Sequence, residues 1–249
     1  MLCLSFLVDT RRLLRPSTPT GQQSAQATFI VLIPARRSAC VHITIACVVA
    51  SVSTVVVRME RQHIRQILRT RRQSIRPAER MVAAQQLATQ LLALPFTPSQ
   101  GAVAGYWACD GEISLHAWQV RLPANVDYCL PVLSQSTLRF AVWKPGEPIA
   151  PNRFGIPEPI VPLCQTLPAE ALSLVVLPLI GFHRQGHRLG MGGGWYDRTF
   201  ASCRAQDRRP PPWLVGVGFA LQHVADLAPM PWDIPMDAMC TESATYVRS

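Results

Sequence analysis

Apolar residues recur with a helical period at the start of the part of the chain that the sequence predicts to fold. Between Met59 and Ile75 they fall three and four positions apart, which predicts an amphipathic helix. A second helical stripe lies between Pro77 and Pro95. Proline is tolerated in the first turn of a helix but cannot continue one. The pattern therefore predicts two consecutive helices.

Beyond Pro95, short apolar runs alternate with short helical patterns. Strands are predicted at residues 101–109, 126–133, 138–144, 172–180 and 213–219, and helices at 114–121 and 195–205. The run LSLVVLPLI at 172–180 is apolar throughout, as is typical of a central parallel strand. The alternation predicts an α/β domain of three layers: an open, mostly parallel sheet with helices on both faces, similar to Rossmann folds.

The first 58 residues do not share this pattern. Nineteen uncharged residues, Ala39–Val57, lie between arginines and are long enough to cross a membrane. They are rich in β-branched and hydroxyl residues, however, and basic residues on both sides give no orientation. We interpret residues 1–58 as an N-terminal extension, disordered or produced by an upstream start, with the folded domain at 59–249. A membrane anchor is the alternative.

Charge and cysteine usage narrow the possible partners. The chain carries a net charge of +9, but residues 1–58 hold six arginines and a single acid, so the predicted domain is only mildly basic. That balance suits an anionic small molecule at least as well as nucleic acid. The eight cysteines include no CxxC pair or zinc-ligand spacing, which indicates a reducing, cytoplasmic compartment without a disulfide framework.

The strongest chemical signal is the segment Arg188–Asp197, RLGMGGGWYD. Four of the five positions from Gly190 to Gly194 are glycine, so successive backbone N–H groups can approach a phosphate closely. The predicted helix that follows adds positive potential at its N-terminus. Arg188 supplies a cation, and Asp197 could bind Mg²⁺. The spacing fits neither the Walker loop nor GxGxxG, and a purely structural glycine turn remains the alternative.

Five arginines align on one face of the first predicted helix, at spacings of four, four, three and four: Arg61, Arg65, Arg69, Arg72 and Arg76. Such a stripe could bind phosphates through charge-assisted hydrogen bonds. It could equally be a solvated face or a nucleic-acid footprint. By itself the stripe does not decide between these readings.

Acidic residues in two other segments are further candidates. WACDGE, at the carboxyl end of the strand predicted at 101–109, places Glu112 and Trp107 toward the ligand crevice of an open sheet, where Trp107 could stack on a flat ring. Asp110 reads better as a turn residue before Gly111. Near the C-terminus, WDIPMD offers Asp233 and Asp237, one of which could complete a metal site with Asp197.

A zinc site at HRQGH is rejected. His183 and His187 are four residues apart, but the segment lacks the glutamate of HExxH, and Gly186 argues against a helix. The sequence also contains no GxSxG elbow and suggests no Cys–His pair. The candidate chemistry therefore rests on phosphate binding rather than on a nucleophile.

These motifs together resemble the 5-formyltetrahydrofolate cyclo-ligase family, also called 5,10-methenyltetrahydrofolate synthetases. LPLIGFHRQGHRLGMGGGWYDR at 177–198 is similar to that family's signature, a strand followed by GFDxxGxRLGxGxGYYDR. The resemblance extends to RxxxR at 61–65, the strand end at Glu112, GIPEP at 155–159 and WDIPMD at 232–237. It covers essentially all of 59–249 and none of 1–58, which supports a start at Met59.

The resemblance implies an ATP- and Mg²⁺-dependent ring closure in a monomeric cytoplasmic enzyme. The formyl oxygen of 5-formyltetrahydrofolate would be phosphorylated, N10 would attack the activated carbon, and phosphate would leave to give the 5,10-methenyl compound. Because phosphorylation creates the leaving group, positioning and charge neutralisation are sufficient, and no protein nucleophile is needed. No nucleic acid or membrane partner is implied.

The resemblance also assigns residues. The expected ATP contacts are Arg61, Arg65, Arg188, Leu189, Gly190, Met191, Gly192, Gly193, Gly194, Trp195 and Tyr196, with Arg188 as the catalytic cation. Glu112 and Trp107 would bind the reduced pterin, and Asp197 and Asp233 would hold Mg²⁺. Asp237 is expected to begin the last strand instead.

Four positions depart from the family pattern. Arg61 stands where lysine is common, which keeps the charge but changes the geometry. His183 replaces an aspartate, Trp195 a tyrosine or phenylalanine, and Gly193 a lysine found in some members. Two other classes stay open on the sequence: a different nucleotide- or sugar-phosphate-binding α/β enzyme, and a basic nucleic-acid-binding module.

Overall fold

A computed structural model of the chain describes residues 60–204 and 210–248. The predictions for residues 1–58, both the extension and the possible membrane anchor, lie outside the described residues. Among the helices of the described part, none is long and apolar enough to span a bilayer.

A seven-stranded sheet forms the centre of the described chain, in the order β11-β10-β9-β6-β1-β2-β3. Its strands are β1 (Gly101–Ala104), β2 (Val126–Ser134), β3 (Thr137–Val142), β6 (Leu172–Pro178), β9 (Trp213–Val217), β10 (Ala238–Cys240) and β11 (Thr245–Val247). The central pairs are parallel, and only the edge strands β3 and β11 run antiparallel to their neighbours. The predicted open, mostly parallel sheet is confirmed.

Two small hairpins accompany the sheet. One pairs β4 (Ile149–Pro151) with β5 (Pro157–Pro159), inside a proline-rich stretch for which no element was predicted. The other pairs β7 (Gly181–Phe182) with β8 (Arg188–Leu189). Strands of two or three residues are too short to show a period-two pattern, so hydrophobic periodicity does not predict them.

The first predicted helix, α1, covers residues 60–73, and α2 covers Pro77–Leu92. Pro77 lies at the start of α2, where its missing N–H costs no hydrogen bond. The short helix α3 spans His116–Gln119. The predicted helix over 195–205 is shorter than expected: α4 covers Trp195–Thr199, and a separate 3-10 turn follows at Ala201–Arg204.

The sheet buries a core on each face because successive strand residues point to opposite sides. In β1, Val103 packs into the core beneath α2 and α3, whereas Ala102 and Ala104 pack into the core on the side of α4 and Phe200. All three alanine and valine side chains are buried. This confirms the three-layer arrangement, with a thick helical layer on one face and a thin one on the other.

The strand predicted at 101–109 ends at Ala104, five residues early. The chain then turns through Asp110 and Gly111, whose φ angles are +48° and +77°. Extended backbone cannot continue through such angles. Because β1 ends at Ala104, Glu112 and its neighbours lie in a loop at the carboxyl end of the strand, beside the candidate site.

Candidate active site

The glycine-rich loop leaves β8 and enters α4. The hairpin that carries it turns at Gly186, with φ +88°, and His183 N–H donates to the His187 carbonyl across the turn at 2.8 Å. Within the loop, Gly192 and Gly194 have φ angles of +99° and +65°, and Gly194 is the N-cap of α4. Both conformations strain any residue with a Cβ atom, so glycine is required for this path.

Helix α1 lies against this loop. Arg65 Nε donates to the Gly190 carbonyl at 2.8 Å, and the Arg65 guanidinium lies just beyond the Cα hydrogens of Gly192. Burial and the nearby charge of Arg61 lower the pKa of Arg65, while Asp233 opposes the shift. Two arginines of α1 therefore concentrate positive charge beside the glycine-rich loop, where a phosphate would be neutralised.

The two candidate metal ligands, Asp233 and Asp197, each form an ion pair with an arginine of the site. Arg61 Nη2 lies 2.9 Å from Asp233 Oδ2, and Arg188 Nη2 lies 2.6 Å from Asp197 Oδ1. The Ile234 backbone N–H, next to Asp233, also donates to Asp197 Oδ1 at 3.4 Å. Residues 36 positions apart in sequence thus lie in adjoining segments.

The two carboxylates keep oxygens for a cation. Asp197 accepts its hydrogen bonds on Oδ1, and Asp233 accepts from Arg61 and from the Met230 N–H on Oδ2. Among the described residues, the other oxygen of each carboxylate accepts no hydrogen bond. The described part of the chain contains no group of three or more His, Cys, Asp or Glu side chains that could hold a metal ion. The donor set therefore fits Mg²⁺, which takes one or two carboxylates and completes its shell with phosphate and water.

Arg188 lies beneath the loop rather than on its surface. Its side chain is 5% exposed, and its guanidinium carbon lies 5.9 Å from the centre of the Tyr196 ring. Arg188 Nε is buried and has no hydrogen-bond partner within the described part of the chain. Arg188 therefore keeps a buried cationic donor that could bind an anion at the loop.

Glu112 forms a second centre at the end of β1. Its side chain is 5% exposed, and Oε2 accepts from the Cys109 backbone N–H at 3.1 Å and from the Cys109 thiol at 3.6 Å. Burial raises the pKa of Glu112, and the Cys109 hydrogen bonds and Arg72 only partly oppose this. The carboxylate is poised to accept a hydrogen bond from a bound ligand, which would compensate for its lost hydration.

One aromatic side chain lies near each of these centres. Burial, and then the charge of Glu112, raise the pKa of the Tyr196 hydroxyl. Trp107 is half-buried and packs edge-on against Trp143, with ring centres 5.8 Å apart. Tyr196 lies in α4 at the end of the glycine-rich loop, and Trp107 lies in the loop that follows β1.

The arginine stripe is only partly solvated, since Arg69 and Arg76 are exposed and the other three are not. Arg72 is fully buried, donates to the Asp110 carbonyl and carboxylate at 2.8 and 2.9 Å, and lies 3.9 Å from Glu112. Arg69 reaches the same Asp110 carboxylate. Of the five, Arg76 alone extends away, pairing with Glu79 on an exposed surface. Four of the five arginines therefore tie α1 to the loops of the site.

The interpretation of Asp110 is confirmed: it is a turn residue at positive φ, although it also binds three side chains of α1. Asp237 was expected to begin the last strand, but it immediately precedes β10, the last strand but one. Its carboxylate accepts the Leu214 backbone N–H at 2.7 Å.

The histidines of HRQGH form a hairpin rather than a helix. The rings of His183 and His187 stack 6.0 Å apart, and His183 Nδ1 accepts the Gln185 N–H. The expectation that Gly186 prevents a helix in this segment is confirmed.

Sequence reasoning missed two residues near Glu112. Arg72 was one of five similar arginines, and only the fold shows that it is the buried one. Cys109 was not singled out among the eight cysteines, but its thiol donates to the Glu112 carboxylate, and burial raises the pKa of Cys109 to about 11. No local signal distinguishes either residue, because both depend on the turn at Asp110.

A model of the 5-formyltetrahydrofolate cyclo-ligase family matches residues 57–242. The chain is 33% identical to the 5-formyltetrahydrofolate cyclo-ligase of Escherichia coli K12 over 184 residues, which is 72% of this chain and 99% of the relative. It is 34% identical over 181 residues to the enzyme of that name from Haemophilus influenzae, covering 71% of this chain and 95% of the relative.

A solved structure shows the same fold. The 5,10-methenyltetrahydrofolate synthetase of Aquifex aeolicus matches with a TM-score of 0.63 and 25% identity, over 75% of this chain and 92% of that one. The matched share excludes about a quarter of the present chain, in keeping with a family domain that starts near residue 57.

Proposed function

Because this chain belongs to the 5-formyltetrahydrofolate cyclo-ligase family, we propose that it is a ligase that uses ATP and Mg²⁺ to convert 5-formyltetrahydrofolate to 5,10-methenyltetrahydrofolate. The observation that carries the site assignment is the arrangement around the glycine-rich loop. Arg61 and Arg65 flank it from α1, Arg188 lies beneath it, and Asp197 and Asp233 lie beside it.

The loop would hold the ATP phosphates. The segment Leu189–Tyr196 offers backbone N–H groups, and its passage into α4 adds a helix N-terminus. Arg61, Arg65 and Arg188 supply fixed positive charge in a partly buried place, where charge–charge interactions are stronger than in water. When bound, Mg²⁺ neutralises phosphate charge, and the unused oxygens of Asp197 and Asp233 would hold it.

Glu112 would hold the reduced pterin. A pterin offers adjacent ring and amino N–H donors, and the buried carboxylate lacks enough protein donors to satisfy both oxygens. Trp107 beside it would contact the flat ring. The formyl group on N5 would then face the glycine-rich loop across Tyr196.

The reaction follows from this placement. The formyl oxygen attacks the terminal phosphoryl group and ADP leaves; N10 then attacks the formyl carbon and loses its proton, and inorganic phosphate departs with the former formyl oxygen. Arg188 would stabilise charge on the transferring phosphoryl group, and Glu112 would keep the pterin oriented. Positioning of this kind accounts for a large share of such a rate acceleration.

The test is a spectroscopic assay with purified protein, 5-formyltetrahydrofolate, Mg²⁺ and ATP, following the methenyl product. We expect product only when ATP and Mg²⁺ are both present, and one ADP per product. Asp197→Asn and Asp233→Asn should each raise the Mg²⁺ requirement. Asp127→Asn, which changes an exposed aspartate on β2, is the matched control. ATP-independent product, or an unchanged Mg²⁺ requirement in both variants, would refute the site assignment.

We also propose a cytoplasmic, monomeric enzyme with two small-molecule substrates and no nucleic-acid or membrane partner. The internal use of Arg61, Arg65 and Arg72 supports this, since polyanion binding needs outward-facing cations. Size-exclusion chromatography with light scattering tests the monomer, and a dimer peak at assay concentration would contradict it.

A further inference from the structure

Gln222 is a buried polar residue that the proposed reaction does not use. It ends a 3-10 turn, Ala220–Gln222, that follows β9, and it is only 1% exposed. Its Nε2 donates to the carbonyls of Leu179 and Ile180 at 3.0 and 2.8 Å, and its Oε1 accepts the Phe219 N–H at 2.8 Å. Because both amide atoms are bonded, the cost of burying the amide is offset.

The partners of this amide fix its orientation. The oxygens of Leu179 and Ile180 are acceptors and the Phe219 N–H is a donor, so exchanging the amide nitrogen and oxygen would break all three bonds. Gly218 leaves room for the amide, since a Cβ there would lie 3.0 Å from Gln222 Oε1 and 2.8 Å from Leu179 Cδ1. The amide nitrogen is therefore a fixed double donor to the connection between β6 and β7.

This connection supports the glycine-rich loop. The Ile180 N–H donates to the Leu189 carbonyl at 2.8 Å, at the open end of the β7–β8 hairpin. Leu189 directly precedes Gly190, whose carbonyl accepts from Arg65. Gln222 thus holds the base of the hairpin from which the glycine-rich loop leaves.

The Leu179 carbonyl also links Gln222 to the turn that carries Glu112. Arg72 Nη1 donates to this carbonyl at 3.3 Å, so one oxygen accepts from both buried side chains. Arg72 Nη2 donates to the Asp110 carbonyl at 2.8 Å, and Arg72 Nη1 lies 3.9 Å from Glu112. A single oxygen is therefore connected to both parts of the candidate site.

We propose that Gln222 is a positioning residue, which sets the glycine-rich loop and the Glu112 turn relative to each other. The inference rests on the proposed function, in which Gln222 contacts neither substrate. Its amide fixes the two carbonyls at the base of the hairpin, and Arg72 connects one of them to the Glu112 turn. The reaction requires the formyl oxygen to approach the terminal phosphoryl group of ATP, so a small displacement of either part slows it.

The test is the variant Gln222→Met, which keeps the length of the side chain and removes all three hydrogen bonds. We expect KM for ATP and KM for 5-formyltetrahydrofolate each to rise about three- to tenfold, with a fall in kcat. Each variant is assayed well below its melting temperature. A mere loss of folded protein would lower the apparent kcat and leave both KM values unchanged.

Thr166→Val is the matched control. Thr166 is 4% exposed, and its hydroxyl accepts from Arg139 and donates to the Leu163 carbonyl, neither of which is assigned to a substrate. Its melting temperature should fall while both KM values stay within about twofold of the wild type. Gly218→Ala is a second variant, in which the added Cβ displaces the Gln222 amide without removing it. Both KM values should rise, though less than in Gln222→Met.

The outcomes separate this inference from the proposed function. Unchanged KM values in a folded Gln222→Met protein would make Gln222 a purely structural residue and overturn the proposal. A rise in only one KM would also overturn it, because the amide would then hold one part of the site and not both. If Gln222→Met does not fold, unchanged KM values in Gly218→Ala are sufficient to overturn it. Absence of methenyl product from the wild type would refute the proposed function itself, and the inference with it.

Discussion

Arg72 and Arg69 bind the same carboxylate oxygen of Asp110, but Arg72 is buried and Arg69 is exposed. This difference permits a matched pair of substitutions. Arg72 has 0% side-chain exposure, and Arg69 has 47%. Each is replaced by methionine, which keeps the length of the side chain and removes the charge. If burial determines the contribution of an ion pair, Arg72→Met must cost far more stability than Arg69→Met.

The magnitude follows from what each substitution leaves behind. Without Arg72, the Asp110 carbonyl loses a donor, and Glu112 loses its nearest cation at 3.9 Å. The Leu179 carbonyl still accepts from Gln222 at 3.0 Å and is not orphaned. Breaking a fully buried pair costs about 3–5 kcal/mol, but Asp110 is 19% exposed and keeps other partners, so we expect about 2–4 kcal/mol. Arg69→Met should cost less than about 1 kcal/mol.

The assay is chemical denaturation at pH 7, followed by intrinsic tryptophan fluorescence, with thermal unfolding in parallel. A loss of 1 kcal/mol lowers the melting temperature by roughly 2–4 °C in a domain of this size. Equal losses in the two variants, or a stable Arg72→Met protein, would refute the assignment of Arg72 as the buried anchor of the Asp110 turn. Denaturant slopes must agree between variants for the comparison to hold.

Three further predictions concern the site. Glu112→Gln should abolish folate binding in calorimetric titration yet stabilise the protein at pH 7. Burial raises the pKa of Glu112 above its ordinary 4.5, so ionising Glu112 destabilises the folded wild type as pH rises above 4.5. The stability gained by Glu112→Gln should therefore vanish below pH 4.5, where the wild-type side chain is protonated in both the folded and the unfolded state. Cys109, with its pKa raised to about 11, should react with iodoacetamide at pH 8 much more slowly than the exposed Cys164, as peptide mass spectrometry would show; equal rates would contradict its burial. Gly192 and Gly146 have φ angles of +99° and +96°, so replacing either by alanine should lower the free energy of unfolding by about 1–2 kcal/mol. Only Gly192→Ala should raise KM for ATP. An equal rise in KM for ATP in the two variants would argue against a phosphate loop.

The assignments that depend on local chemistry were available in the sequence. The glycines at 190, 192 and 194 predicted a loop whose backbone a ligand can approach closely. The apolar run at 172–180 predicted a central strand. The acids at Asp197 and Asp233 and the cations at Arg61 and Arg65 were recognisable as candidates by residue type. Their resemblance to one family then supplied the expected roles, and the family membership is confirmed.

Pairing between distant segments could not be predicted in the same way. Nothing in the sequence states that Arg61 meets Asp233, that Arg65 meets Gly190, or that Arg72 is the arginine without solvent exposure. Helical periodicity places five arginines on one face, but the environment of that face depends on which loops the sheet order brings beneath it. The β4–β5 hairpin is a similar case, since no element was predicted there.

What the sequence determined by itself is the set of elements and the residue types that bind phosphate, because periodicity, glycine content and charge are local properties of the chain. The tertiary structure decided which charges are paired, which are buried and which stay unneutralised. Those properties depend on desolvation and on distances between segments more than a hundred residues apart, as between Arg65 and Gly190. The glycine-rich loop was visible in the sequence, and the surroundings that make it a site were visible only in the fold.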